Sequence, residues 1–139
     1  MQLNDEKIKQ LAKKLKMQFP QIAFAYLFGS IISEQASESS DLDLAVFLKP
    51  DTKTPELITS IIGLVEMEIP EFPCDLLILN DAGKLIAMEV LKGKILFIRD
   101  TCQDDHAGFY SITCRMFEDQ QAWMKKQLKY RGHEVQWNN

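Results

Sequence analysis

Two short runs hold the reactive potential of this chain: Gly29-Ser30, and Asp41-Leu42-Asp43 after an interval of ten residues. An apolar stretch, Ile22 to Phe28, leads into the Gly-Ser turn, and a second, Leu42 to Leu48, carries the acidic pair. Side chains alternate faces along a strand. Asp41 and Asp43 therefore point one way, while Leu42, Leu44, Val46 and Leu48 point the other. Two carboxylates held that close repel, and one resists ionisation unless a cation intervenes. A hydrated Mg²⁺ removes the conflict, because it prefers one or two carboxylates and fills its other positions with water and substrate phosphates. Glycine lets the backbone approach a phosphate closely, and the serine hydroxyl adds a donor. The pattern is equipment for phosphoryl or nucleotidyl chemistry on a nucleoside triphosphate. The competing reading is an acidic loop between two ordinary strands. At average residue frequencies the pattern arises by chance about once in a thousand chains of this size.

These residues need a sheet to position them. Leu3, Ile8, Leu11, Leu15 and Met17 recur at helical spacing, with Asn4 or Asp5 as N-cap and Pro20 as a stop. Ile22 to Phe28, bounded by Pro20 and Gly29, reads as a buried strand. A short helix is expected over Ile31 to Glu34, then a polar loop from Ser33 to Ser40, then a strand from Leu42 to Leu48. Thr54 as N-cap and Pro55 at the first helical position open a helix that runs to about Glu68. A third strand, Cys74 to Leu79, follows Pro70 and Pro73. Asp81 is expected to cap a helix over Ala82 to Leu91, with Gly93 as its stop and a fourth strand from Ile95 to Ile98. A last helix spans Asp104 to about Lys129, with Phe109, Ile112, Met116, Trp123 and Leu128 as expected buried contacts. Phe117, Trp123 and Tyr130 either complete the core or present an apolar contact face, the core being favoured. The expected class is α/β (α+β), a small mixed sheet with helices packed against it.

The bulk numbers fit that plan. A length of 139 residues, 46% of them hydrophobic, suits a single domain over residues 1–139 with an ordinary core. Net charge is −4, against the basic surface that nucleic-acid binding requires. No direct nucleic-acid binding is expected. Cys74, Cys102 and Cys114 are widely spaced and odd in number, as suits reduced thiols, with Cys74 expected to be buried in its strand. His106 and His133 are expected to be exposed polar residues. The N-terminus is polar, and the longest apolar run is far short of the ~20 residues that span a bilayer. A soluble cytoplasmic protein with no membrane contact is expected.

Phe28-Gly29-Ser30, Asp41-Leu42-Asp43, the Ser40-Asp-Leu-Asp-Leu-Ala-Val run and Asp75 within Cys74-Asp-Leu-Leu-Ile-Leu together resemble the DNA polymerase β-like nucleotidyltransferases. They look most like the minimal members, the MNT antitoxins of HEPN/MNT toxin–antitoxin pairs. The resemblance covers roughly residues 22 to 100. It implies that Asp41, Asp43 and Asp75 are the catalytic and metal-binding carboxylates, and that Gly29 and Ser30 hold the triphosphate of ATP. Two Mg²⁺ ions about 3.5–4 Å apart are then expected. All three aspartates would hold one ion, and Asp41 with Asp43 the other. Asp75 is expected to receive the acceptor hydroxyl's proton. Without that resemblance, Asp75 reads as a capping or solvent-facing residue beside Pro73.

The implied acceptor is a tyrosine of a partner HEPN ribonuclease toxin, adenylylated and thereby neutralised. Related transferases that act on tRNA or antibiotics use a second domain to grip the acceptor, which a single domain leaves to a partner. A non-catalytic antitoxin that masks the toxin by binding is one alternative. An aminoglycoside-type small-molecule transferase is another. Arg99 and His106 have the spacing of the first two HEPN signature residues, but Gly108 stands where the tyrosine belongs. No ribonuclease site is expected here.

Overall fold

Every other element is built around one strand, β1 (Ile22–Phe28), whose seven residues are all buried. The computed structural model describes residues 3–32 and 41–130. The expected loop from Ser33 to Ser40, His133 and the tail from Arg131 lie outside them. Helix α1 (Asp5–Gln18) precedes β1, with the Asn4 side chain accepting from the Lys7 N–H at 2.9 Å. After β1 come β2 (Leu42–Leu48), α2 (Pro55–Glu68), β3 (Cys74–Ile78), α3 (Lys84–Leu91), β4 (Lys94–Ile98) and α4 (Gln103–Tyr130). The four strands lie in the order β3-β2-β1-β4. Strand β1 is antiparallel to both β2 and β4, and β2 is parallel to β3. This is the mixed sheet the sequence leads one to expect.

Helices cover both faces, which is why β1 reads as an unbroken apolar run rather than an alternation. On one face, Leu11 and Leu15 of α1 and Ile61 and Val65 of α2 pack against Leu27, Leu44 and Val46. On the other, Phe24 and Tyr26 meet Ala45, Val90 of α3 and Phe109 of α4. The Thr54 hydroxyl caps α2 by accepting from the Leu57 N–H at 3.1 Å, as expected.

Several boundaries differ from expectation. Asp81 does not cap a helix: it ends a 3₁₀ turn, Leu79–Asp81, and pairs with Lys53. Gly83 is the N-cap of α3, which begins two residues later than expected. Leu79 belongs to that turn rather than to β3. Cys74 is half-buried, and all three cysteines are free thiols.

Helix α4 departs most. Ile112, Met116 and Trp123 are 54%, 39% and 61% exposed, against the expectation that they enter the core. Its buried side is instead marked by Phe109, half-buried between Phe24 and Phe47, and by Thr113. Ile112 sits next to Thr113 and so about 100° round the helix, enough to leave the contact.

His106 is not an exposed polar residue either. Its Nε2 lies 2.7 Å from the Tyr26 hydroxyl, and its ring meets the Phe24 ring edge-on at 4.8 Å. Burial, with help from Tyr110, pushes the Tyr26 hydroxyl up to about 12, so it stays protonated, and the imidazole tautomer sets which of the two groups donates. Burial holds His106 below its ordinary 6.5, so the unfolded chain takes up the proton first. That contribution to stability is full above about pH 6.5 and is lost as pH falls below it. The wild type should therefore lose more Tm between about pH 7 and pH 5 than His106→Gln, as followed by circular dichroism. Equal losses in the two proteins would remove His106 from the account.

Arg99 has a role no sequence pattern announces. Its Nε donates to the Ile22 carbonyl at 2.6 Å, and Nη2 donates to the Lys16 and Phe19 carbonyls, each at 2.7 Å. The last carbonyls of a helix have no partner within it, and a cation at that end suits the helix dipole. One guanidinium thus closes the end of α1 onto β1. Arg99→Ala should cost about 2–4 kcal/mol in urea denaturation, because charge-assisted bonds are lost and their carbonyls stranded. Arg99→Lys should recover less than half, since one ammonium cannot reproduce the fork.

Candidate functional site

Strand pairing brings the carboxylates together. Phe28, the last residue of β1, pairs with Asp43, and Asp43 pairs with Asp75 across the parallel β2–β3 ladder. Paired residues share a face, and neighbouring strands lie about 4.8 Å apart. Asp41, two residues before Asp43, belongs to that face as well. The Leu42 N–H donates to the Pro73 carbonyl at 2.7 Å, fixing the start of β2 beside the entry to β3.

The turn after β1 closes over this row. Gly29 has φ +80°, in the region L side chains avoid, and opens a 3₁₀ turn over Gly29–Ile32. A Cβ at Gly29 would fall 2.2 Å from Asp43 Oδ2, so the turn exists only because glycine has none. The expected helix from Ile31 starts two residues early, as this single turn, and Ser30 is its exposed second residue. Glu34, the expected end, lies outside the described residues.

Charge follows from the geometry. Burial, then Asp75, then Asp41 push the Asp43 carboxyl above its ordinary value. The same field acts on Cys74: burial, then Glu66, Asp75 and Asp43 push its thiol up to about 12, which leaves it inert as a nucleophile. The sequence treats Asp41 and Asp43 alike, whereas the fold separates them. Asp43 is half-buried against the turn, while Asp41, just before β2, is exposed, as is Asp75.

Among the described residues, no three His, Cys, Asp or Glu side chains already close into a metal cage. Mutual repulsion holds such carboxylates apart, and Mg²⁺ needs few of them when phosphates and water complete its shell. The donor set still suits a hard divalent cation: oxygen ligands only, in one row, with a carboxyl whose charge its neighbours oppose.

Residues 6–102 match the family model described as polymerase beta, nucleotidyltransferase. The chain belongs to this family. No curated protein matches it. Among solved structures, this nucleotidyltransferase is similar to a toxin–antitoxin complex crystallised with AMP-PNP, at 26% identity and TM-score 0.68. That alignment covers 94% of this chain and 100% of the other. A mutant MntA–HpeT toxin–antitoxin complex aligns at 27% identity and TM-score 0.66, over 95% and 100% of the two chains. The complex of a tri-AMPylated Shewanella oneidensis HEPN toxin with its MNT antitoxin aligns at 22% and 0.66, over 94% and 100%. At that identity the likeness is one of fold. Nucleotidyltransferases of this fold use ATP and a divalent metal. Among the described residues no helix is long and apolar enough to cross a membrane.

Proposed function

We propose that this nucleotidyltransferase is an antitoxin that transfers AMP from ATP to a tyrosine of a HEPN ribonuclease toxin, neutralising it. The observation that carries the reading is the row Gly29, Asp43, Asp75. A Cβ-intolerant turn abuts one carboxylate while a second faces it across a parallel ladder. Likeness to a toxin–antitoxin complex crystallised with AMP-PNP supplies the nucleotide and the class of partner.

In this reading Gly29 and Ser30 hold the triphosphate, the glycine by letting main chain approach it and the serine by its hydroxyl. Asp41, Asp43 and Asp75 hold two magnesium ions, Asp75 contributing to one of them. When bound, the ions neutralise the triphosphate and acidify the acceptor hydroxyl. Asp75 takes the acceptor's proton, and the tyrosine oxygen attacks the α-phosphate as pyrophosphate leaves. Most of the acceleration comes from fixed charge placed where the transition state accumulates it.

The decisive experiment incubates the purified protein with its HEPN partner, Mg²⁺ and α-labelled ATP. Label should appear on a partner tyrosine, and toxin ribonuclease activity should fall in step. Tight binding with no label would mean neutralisation by masking. Label on an aminoglycoside without any partner protein would mean a small-molecule transferase.

A further inference from the structure

We infer that Gly93 is a positioning residue for nucleotide binding, acting through Phe28 on the spacing between the Gly29 turn and Asp43. The inference deepens the proposed function and rests on it.

The chain marks Gly93 only as the stop of α3. A glycine in that role commonly takes the left-handed conformation. Among the described residues, however, Gly29 is the one glycine with positive φ. Helix α3 ends without that device: Lys92 is right-handed, and the Gly93 N–H donates to the Val90 carbonyl at 2.9 Å. Backbone conformation therefore does not call for glycine here. Space does. A Cβ at Gly93 would overlap the Leu27 carbonyl oxygen and lie 3.0 Å from Phe28 Cβ and 3.1 Å from Phe28 Cα. All three atoms are main chain or fixed to it, so no change of rotamer relieves the overlap. At Gly63, Gly83 and Gly108 an added Cβ would meet nothing within 4 Å.

The location gives this contact its consequence. Leu27 pairs with Lys94, which sets Phe28 level with Gly93 on the β4 side. On its other side Phe28 pairs with Asp43, and Gly29 follows it directly. The end of β1 is thus held between the α3–β4 turn and the carboxylate at the centre of the site. The turn has little freedom to retreat, since Ala87 and Val90 before it and Phe97 after it are buried. Close-packed interiors pass such strain on. A methyl at Gly93 therefore presses Phe28 toward β2 and shifts the Gly29 turn relative to Asp43.

Calorimetric titration of the full chain with Mg²⁺ and α,β-methylene ATP, which cannot release pyrophosphate, tests this. Gly93→Ala should bind this nucleotide about tenfold or more weakly than wild type, at a temperature where both are folded by circular dichroism. Val65→Ala is the control. Val65 is fully buried in α2 on the opposite face of the sheet, so its loss lowers Tm without reaching the turn. Its nucleotide affinity should stay within about twofold of wild type. Equal affinity in Gly93→Ala and wild type would overturn the inference and leave the nucleotide site standing. A loss shared by Val65→Ala, or a Gly93→Ala chain that does not fold, would also overturn it, by making Gly93 a residue of the fold alone. A wild type that binds no nucleotide would overturn the proposed function, and this inference with it.

Discussion

Asp43→Asn should reduce nucleotidyl transfer by at least about a thousandfold, equivalent to roughly 4 kcal/mol of transition-state stabilisation, with the fold intact. The size of the effect follows from position. Asp43 is the residue at which the Gly29 turn, Asp41 and Asp75 all converge, so its charge is shared by every part of the proposed site. Asparagine keeps its shape and loses the charge, so an inactive variant with native circular dichroism isolates the electrostatic role. Full activity in that variant would reject the mechanism.

The same substitution has a thermal signature of opposite sign. The Asp43 carboxyl is raised above its ordinary 3.8 by burial and its acidic neighbours. Its contribution to stability is present below about pH 4 and is lost as pH rises through its raised folded value. Near neutral pH the ionised group therefore destabilises the metal-free protein, and Asp43→Asn should raise Tm when EDTA is present. Mg²⁺ should reverse the order. At ten times its Kd the ion adds about 1.4 kcal/mol to the wild type, roughly 5 °C, and much less to the variant. An equal Mg²⁺ response in both proteins would place the ion elsewhere.

Gly29→Ala should be nearly as damaging, through geometry rather than charge. The backbone at φ +80° costs any L residue about 1–2 kcal/mol, and the new methyl would overlap Asp43 Oδ2. The carboxylate has to turn away or the 3₁₀ turn has to shift. Transfer should fall about a hundredfold or more, and Tm by roughly 7 °C for about 2 kcal/mol. Gly63→Ala is the matched control. It lies within α2 with nothing within 4 Å of its added methyl, and should gain up to about 1 kcal/mol. Unaltered kinetics in Gly29→Ala would show that the turn and the carboxylate act independently.

Helix α2 shows why much of this fold is legible in the chain. A cap at Thr54, proline at Pro55 and apolar residues at Leu57, Ile61 and Val65 each lie within four residues of the next, so their meaning is local. Strand β2 is similar: alternation alone places Asp41 and Asp43 on one face, whatever the strand meets. Helix α4 shows the opposite. Its apolar residues fall on more than one face, and nothing in their spacing says which face meets the sheet. His106 was legible only as a polar residue, because Tyr26, its partner, lies 80 positions away.

Local spacing in the chain was therefore enough to put Asp41 and Asp43 on one face, to mark a turn at Gly29 and to give the order of helices and strands. Strand pairing decided that Asp75 stands level with Asp43, and long-range packing decided that Arg99 seals α1 and that a methyl at Gly29 would strike a carboxylate. The division has one cause. Neighbouring residues constrain each other through backbone geometry that any segment carries with it. Register between β2 and β3 exists only once hydrogen bonds join residues more than thirty positions apart.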